Sequence, residues 1–226
     1  MKHFLTASKL LLSALFRSRA FAEEHREDSG RSFFLQASFS FALALFVLTL
    51  CTIASNLLLQ LTSGYYAEVV KTSPTLRNHP SSLYFPTAKL YFALVWFLYV
   101  VVNGSIRYVA LRLFGEERID FAKSLVQTAL ATVPLMLSGV FVHILYDIFP
   151  PKFDRNVSLA KGQLALAGLS FFASFVWEAR IFILISKSWF GQNTGRAFLI
   201  WFFPVFVFLV LVFVSIRLVV LGSFRL

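Results

Sequence analysis

Charge is scarce in this chain, and acidic charge scarcer still. Only 14% of its 226 residues are Asp, Glu, Lys or Arg, against about 25% in soluble domains, which excludes a globular domain with a fully water-exposed surface. The single cysteine, Cys51, allows no internal disulfide and no thiolate metal cluster. Eleven acids stand against 21 Lys and Arg, a formal charge of +10. The bases are scattered over loops and segment ends with no basic-aromatic groove or finger motif, so nucleic acid is not an expected partner. Enzyme signatures are missing as well: there is no Gly-x-Ser-x-Gly turn, His-Glu-x-x-His helix, phosphate-binding glycine loop or pair of intramembrane aspartates. No enzyme activity, cofactor or metal is expected.

What the chain has is apolar surface. Hydrophobic residues make up 58% of it, 28 of them phenylalanine, and the mean hydropathy is +0.74. Five apolar segments, roughly 39–61, 90–111, 122–145, 162–186 and 197–221, each reach the length of about 20 residues that a bilayer core demands of a helix. The expected fold is all-α, a polytopic five-helix transmembrane bundle. A domain boundary is placed after a cytoplasmic arm and linker, 1–32, with the membrane domain over 33–226. The longest connection, 62–89, holds Pro74, Pro80 and Pro86 and is expected to be irregular, with an interfacial helix near 65–70.

The beginning of the chain admits two readings. Lys2, the run from Leu10 to Phe16 and Ala20-Phe21-Ala22 resemble a signal peptide, yet Arg17 and Arg19 interrupt it before the cleavage-like site. Taken as a helix, Lys2, Thr6, Lys9, Ser13 and Arg17 line one polar face, and an uncleaved amphipathic helix on the membrane surface is preferred. Lys9, Arg17 and Arg19 are its interaction residues. Thirteen basic residues fall on the side of this arm and of the turns after spans two and four, against eight on the other. That bias puts the amino terminus in the cytoplasm and the carboxyl terminus outside.

One pattern occurs twice: an apolar span with an inward arginine, a Phe-Gly turn, and a proline-bearing span. Arg107, Phe114-Gly115, Phe121-Ala122 and Pro134 form the first copy; Arg180, Phe190-Gly191, Arg196-Ala197 and Pro204 form the second. On the strings RLFGEERIDFAKSLVQTALATVPLML at 112–137 and WEARIFILISKSWFGQNTGRAFLIWFFP at 177–204, the chain resembles the Yip family over about 88–222. These are five-span membrane proteins first defined as interactors of Rab-type GTPases, with many bacterial relatives. The long amino-terminal region of eukaryotic members is replaced here by about thirty residues without an Asp-Leu-x-Gly-Pro segment. The bacterial branch, and a bacterial inner membrane, are therefore expected, and Rab binding is not carried over. The resemblance implies a non-enzymatic protein that binds other membrane proteins, or itself, or organises the bilayer.

Glu178 is the residue most in need of a reason, since a charge at the centre of a span costs about 3 kcal/mol on insertion scales. Gln163, Ala167, Ser170, Ser174 and Glu178 recur at steps of three and four and define a face that packs on other helices rather than lipid. Arg180 is two residues on, nearly opposite on the wheel, and cannot pair with it. Arg107 lies about 12 Å from its turn and Glu178 about 14 Å from Lys187, so a contact between Arg107 and Glu178 is expected. An ion pair fixing helix register, a proton or ion relay, and unpaired snorkelling side chains are the readings of this cluster. His143, Asp147 and Arg217 form a second expected group at the outer end, for capping or ion pairing. Asn56, Gln60 and Asn103 read as interhelical hydrogen bonds, and the tryptophans partly as an interface belt. The rival to a membrane adaptor is a small transporter or permeation module using Glu178. Both Phe-Gly turns fall on one side, however, so the repeat is parallel, without a glycine-rich unwound segment at the midplane.

Overall fold

The computed structural model describes residues 2–26, 31–62, 87–114, 120–148 and 157–223. The expected helix near 65–70 and the charged turn at 115–119 lie outside the described residues. Those described form seven helices: α1 (Lys2–Phe16), α2 (Ser18–Glu24), α3 (Arg31–Thr62), α4 (Thr87–Leu113), α5 (Phe121–Ile148), α6 (Val157–Trp189) and α7 (Thr194–Ser223). The last five are long and apolar enough to cross a membrane, and helices satisfy every backbone group internally, as lipid requires. They overrun the apolar segments that mark them. The 33 residues of α6 make a rod of about 50 Å, whereas a hydrocarbon core is about 30 Å thick. The amino-terminal arm attaches along its second half, from Trp177 to Trp189.

α5 is the centre of the bundle. Two thirds of its apolar window (67%) is buried, against 22–39% in the other spans, and α3, α4, α6 and α1 all pack on it, while α7 lies against α4 and α6. The composition of α5 accounts for this position. Ser124, Thr128, Ala129, Ala131, Thr132 and Ser138 are buried, and small side chains let neighbouring backbones approach where lipid offers no hydrophobic drive between helices. Thr128 and Thr132 donate to carbonyls one turn back at 3.0 and 2.8 Å, so their hydroxyls carry no unpaired donor into the core. α4 approaches closely at Gly104, where an added Cβ would stand 2.6 Å from Leu125 Cδ2. Outward faces are apolar: Phe206, Phe208, Leu211 and Phe213 of α7 are all exposed. Pro134 and Pro204 sit within continuous helix in α5 and α7.

The second helix of each hairpin starts with ordinary capping chemistry. Asp120 Oδ1 accepts the Ala122 N–H at 3.0 Å at the start of α5, and Asn193 Oδ1 accepts that of Arg196 at 2.9 Å at the start of α7. Gly191, at φ +61°, turns the chain out of α6, and the Gln192 N–H reaches back to the Ser186 carbonyl at 3.4 Å.

The arm departs from the expected single surface helix. It breaks at Arg17 (φ −123°, ψ 42°) into α1 and α2, and it is folded onto the bundle, α1 against α3 and α5, α2 against α6. Ala7, Leu10, Ala14, Leu15, Phe21 and Ala22 are buried there. Leu5, Leu12 and Phe16 face outward with Lys9. α1 therefore has two apolar faces, one for protein and one suited to lipid, which a single polar stripe does not reveal.

Candidate functional site

Two polar constellations stand out in this apolar structure. The first is buried where α4, α6 and α7 meet. Arg107 Nη2 donates to Glu178 Oε1 at 2.9 Å, with side-chain exposures of 3% and 0%, and the guanidinium carbon lies 4.5 Å from the centroid of the Phe182 ring. Phe182 is one turn beyond Glu178, so α6 offers one cation both a carboxylate and an aromatic face. Tyr99, two turns before Arg107 on α4, lies within electrostatic reach of both charges. The indole N–H of Trp201 approaches the carboxylate from α7 without closing a hydrogen bond. Arg107 Nε and Nη1 and Glu178 Oε2 complete no hydrogen bond of their own. The cluster is a monodentate ion pair sealed by aromatic rings.

One layer away, Gln127 Nε2 of α5 donates to the Phe182 carbonyl at 2.9 Å and to Ser186 Oγ. Ser138 and Ser170 share a hydrogen bond of 3.0 Å nearer the other end. The packing face of α6 thus runs from Gln163 through Ala167 and Glu178 to Ile185 and Trp189, all buried.

The second constellation holds the arm. Helix ends leave carbonyls without intrahelical donors, and those of α1 and α2 are capped by the arm's own Ser18 and by the bundle. Ser18 Oγ donates to the Ala14 carbonyl at 2.7 Å, and Trp177 Nε1 donates to that of Leu15 at 3.2 Å. Ser188 Oγ and Trp189 Nε1 both donate to the Ala22 carbonyl, at 2.8 and 3.2 Å. Lys123 Nζ donates to the Arg26 carbonyl at 2.7 Å and stands 5.2 Å from the Trp189 ring centroid. Phe21, fully buried, packs between Trp189 and His25. Trp177 and Trp189 therefore act as donors to the arm, a role that the interface-belt reading missed. No local signal marks it, because a tryptophan's partner lies some 160 residues away in sequence.

The remaining expected residues are placed as follows. Arg180 is exposed and does not belong with Arg107 and Glu178, so the second copy of the repeat lacks an inward arginine; Glu178 takes the bundle face of α6, and a residue two positions on is turned away. Arg17 and Arg19 are exposed on α2's side of the break, and Arg19 Nε bonds Glu23 Oε1 at 3.1 Å. His143 packs edge-on against Phe92 at 5.9 Å, while Arg217 lies over Phe213 of its own helix at 5.5 Å. The side chain of Asp147 is outside the described residues. Asn103 Nδ2 bonds the Tyr99 carbonyl of its own helix at 2.9 Å rather than another helix; the side chains of Asn56 and Gln60 lie outside the described residues. Among the described residues, no group of three His, Cys, Asp or Glu side chains is arranged to hold a metal ion.

A family model, the Yip1 domain, matches residues 12–216. The chain belongs to the Yip1 domain family. The match reaches well upstream of the two hairpin strings and begins inside α1, so the Yip1 domain takes in α2, the capped end of α1 and the first span along with the hairpins. No curated protein and no solved structure gives a significant match.

Proposed function

We propose that this Yip1-domain protein is a non-enzymatic membrane adaptor, which presents a fixed basic surface to another membrane protein. The observation that carries this reading is the capped arm. Four donors from α5 and α6 hold carbonyls of α1, of α2 and of Arg26, two residues beyond α2, so Lys9, Arg17 and Arg19 are displayed from a preformed scaffold rather than a free tail. Preorganisation of this kind lowers the ordering penalty of association. In-membrane cross-linking of the full chain, followed by mass spectrometry, tests it. A partner captured by the native chain and lost on Arg17→Glu/Arg19→Glu is expected; capture of the protein alone, unchanged by the reversal, overturns the adaptor reading.

The transporter reading rests on Glu178. A carboxylate that is wholly inaccessible and bonded to a guanidinium favours a structural pair, because a relay needs water or substrate to reach it. Glu178→Gln is therefore expected to lower stability while leaving proton-coupled flux in proteoliposomes at the level of the native chain.

A further inference from the structure

The outer surface of α6 and α7 carries a feature that neither the ion pair nor the arm's display accounts for. A cleft of ≈ 830 Å³ opens between them, with Phe172, Val176, Ala179, Phe198 and Phe202 among its walls and Arg19 and Arg180 at its rim. The same two arginines also line an adjoining recess of ≈ 350 Å³, formed by the break between α1 and α2 and by Trp177. We propose that this cleft and recess bind one anionic glycerophospholipid of the leaflet on the arm's side, its acyl chain along the apolar cleft and its phosphate between Arg19 and Arg180.

The argument is one of charge and position. Phe172, Val176 and Phe198 are exposed, which places them against acyl chains in a spanning bundle. Arg180 follows Val176 by one turn, towards the end of α6 where the arm attaches, and a long basic side chain at that depth reaches the headgroup level. It is exposed, and Arg19 arrives beside it from α2. Glu23, which also lines the recess, engages Arg19 through Nε and leaves its two terminal nitrogens, while Arg17 on the same wall offsets the carboxylate, so the recess stays net basic. Two guanidinia over an apolar slot match a phosphodiester on an acyl chain, since arginine binds phosphate in paired geometry. The volume of the cleft falls within the range of about 300–1,000 Å³ typical of small-molecule sites. The inference does not depend on the adaptor reading, because a purified chain can hold the lipid with no partner present.

Full-length protein in nanodiscs of phosphatidylcholine with a minor share of phosphatidylglycerol, released into detergent for native mass spectrometry, provides the test. The native chain is expected to retain one phosphatidylglycerol in preference to phosphatidylcholine. Arg19→Gln and Arg180→Gln should each weaken retention about fivefold, the effect of one basic side chain at an anionic surface. Ala179→Phe, which fills the cleft and leaves the rim intact, should also release the lipid, whereas Arg112→Gln on α4 should not. Melting temperatures of the lipid-free variants check that each is folded. Retention unchanged in the three cleft variants overturns the proposal, as does equal retention of phosphatidylcholine. Displacement by soluble glycerol 3-phosphate would show a simple phosphate site and overturn it too.

Discussion

Arg107 and Glu178 are bound by an asymmetry between losing one partner and losing both. A charge left alone in a low-dielectric interior destabilises a protein by about 3–5 kcal/mol, while replacing the whole pair with apolar residues of similar volume is often neutral. A single interhelical hydrogen bond in a membrane protein is worth about 0.6 kcal/mol on average, so the two accounts of this contact are separable by magnitude. Glu178→Leu, or Arg107→Met, is expected to cost several kcal/mol in detergent unfolding, and the double variant to recover most of it. Additive losses would mean that the two side chains are not coupled. This contact was legible in the sequence because both charges lie at similar depths from Phe-Gly turns on one side, and helical rise converts that into position. The aromatic seal was not legible: Phe182 and Trp201 are two among many aromatic residues, and only the crossing of α4, α6 and α7 selects them.

At the scale of the elements, the arm's attachment is a set of hydrogen bonds to helix-end carbonyls plus one buried ring. A net hydrogen bond contributes about 1 kcal/mol, and Ser188 and Trp189 converge on the single carbonyl of Ala22. Ser188→Ala/Trp189→Phe keeps most of the packing and removes both donors. Local opening of α2 should then rise about tenfold to thirtyfold, read as faster tryptic cleavage at the exposed Arg17 and Arg19 while the bundle's own unfolding is little changed. Phe21→Ala should release the arm further, since emptying a buried aromatic site costs about 3–5 kcal/mol. If neither variant alters cleavage, the arm is held by its outer contacts and not by α6. The α4–α5 contact yields a different expectation. Gly104→Ala would press on the mobile end of Leu125, 2.6 Å away, but the backbone Cα of Leu125 at 3.5 Å sets a harder limit. Gly104→Val should therefore cost about 1–3 kcal/mol and Gly104→Ala clearly less. The five spans could be read from apolar length, whereas the docking of α1 could not, because its buried face is Ala7, Leu10 and Ala14, one leucine between two small alanines, which a polar stripe does not mark.

For the whole molecule, the arm joins the argument about orientation. Lys123 at the start of α5 and Trp189 at the end of α6 both reach the arm, so the arm, the start of α5 and the α6–α7 turn occupy one end of the bundle. That is the side to which the sequence reading assigns thirteen of the basic residues, and exposed apolar rows along α6 and α7 separate it from the other. The basic bias predicts that the arm faces the cytoplasm. A cysteine-labelling experiment decides the matter, because the native thiol, Cys51 of α3, is the only one in the chain and is removed by Cys51→Ser. In that background, Ala20→Cys in α2 and Thr194→Cys at the start of α7, both at exposed positions, are expected to resist a membrane-impermeant maleimide added to intact cells and to react after lysis. Lys161→Cys, exposed near the start of α6, should react in intact cells. Reversal of all three would leave the bundle intact and invert its orientation, turning the lipid cleft to the outer leaflet. A split between Ala20 and Thr194 would instead refute the shared end, and with it the docking of α2 on α6.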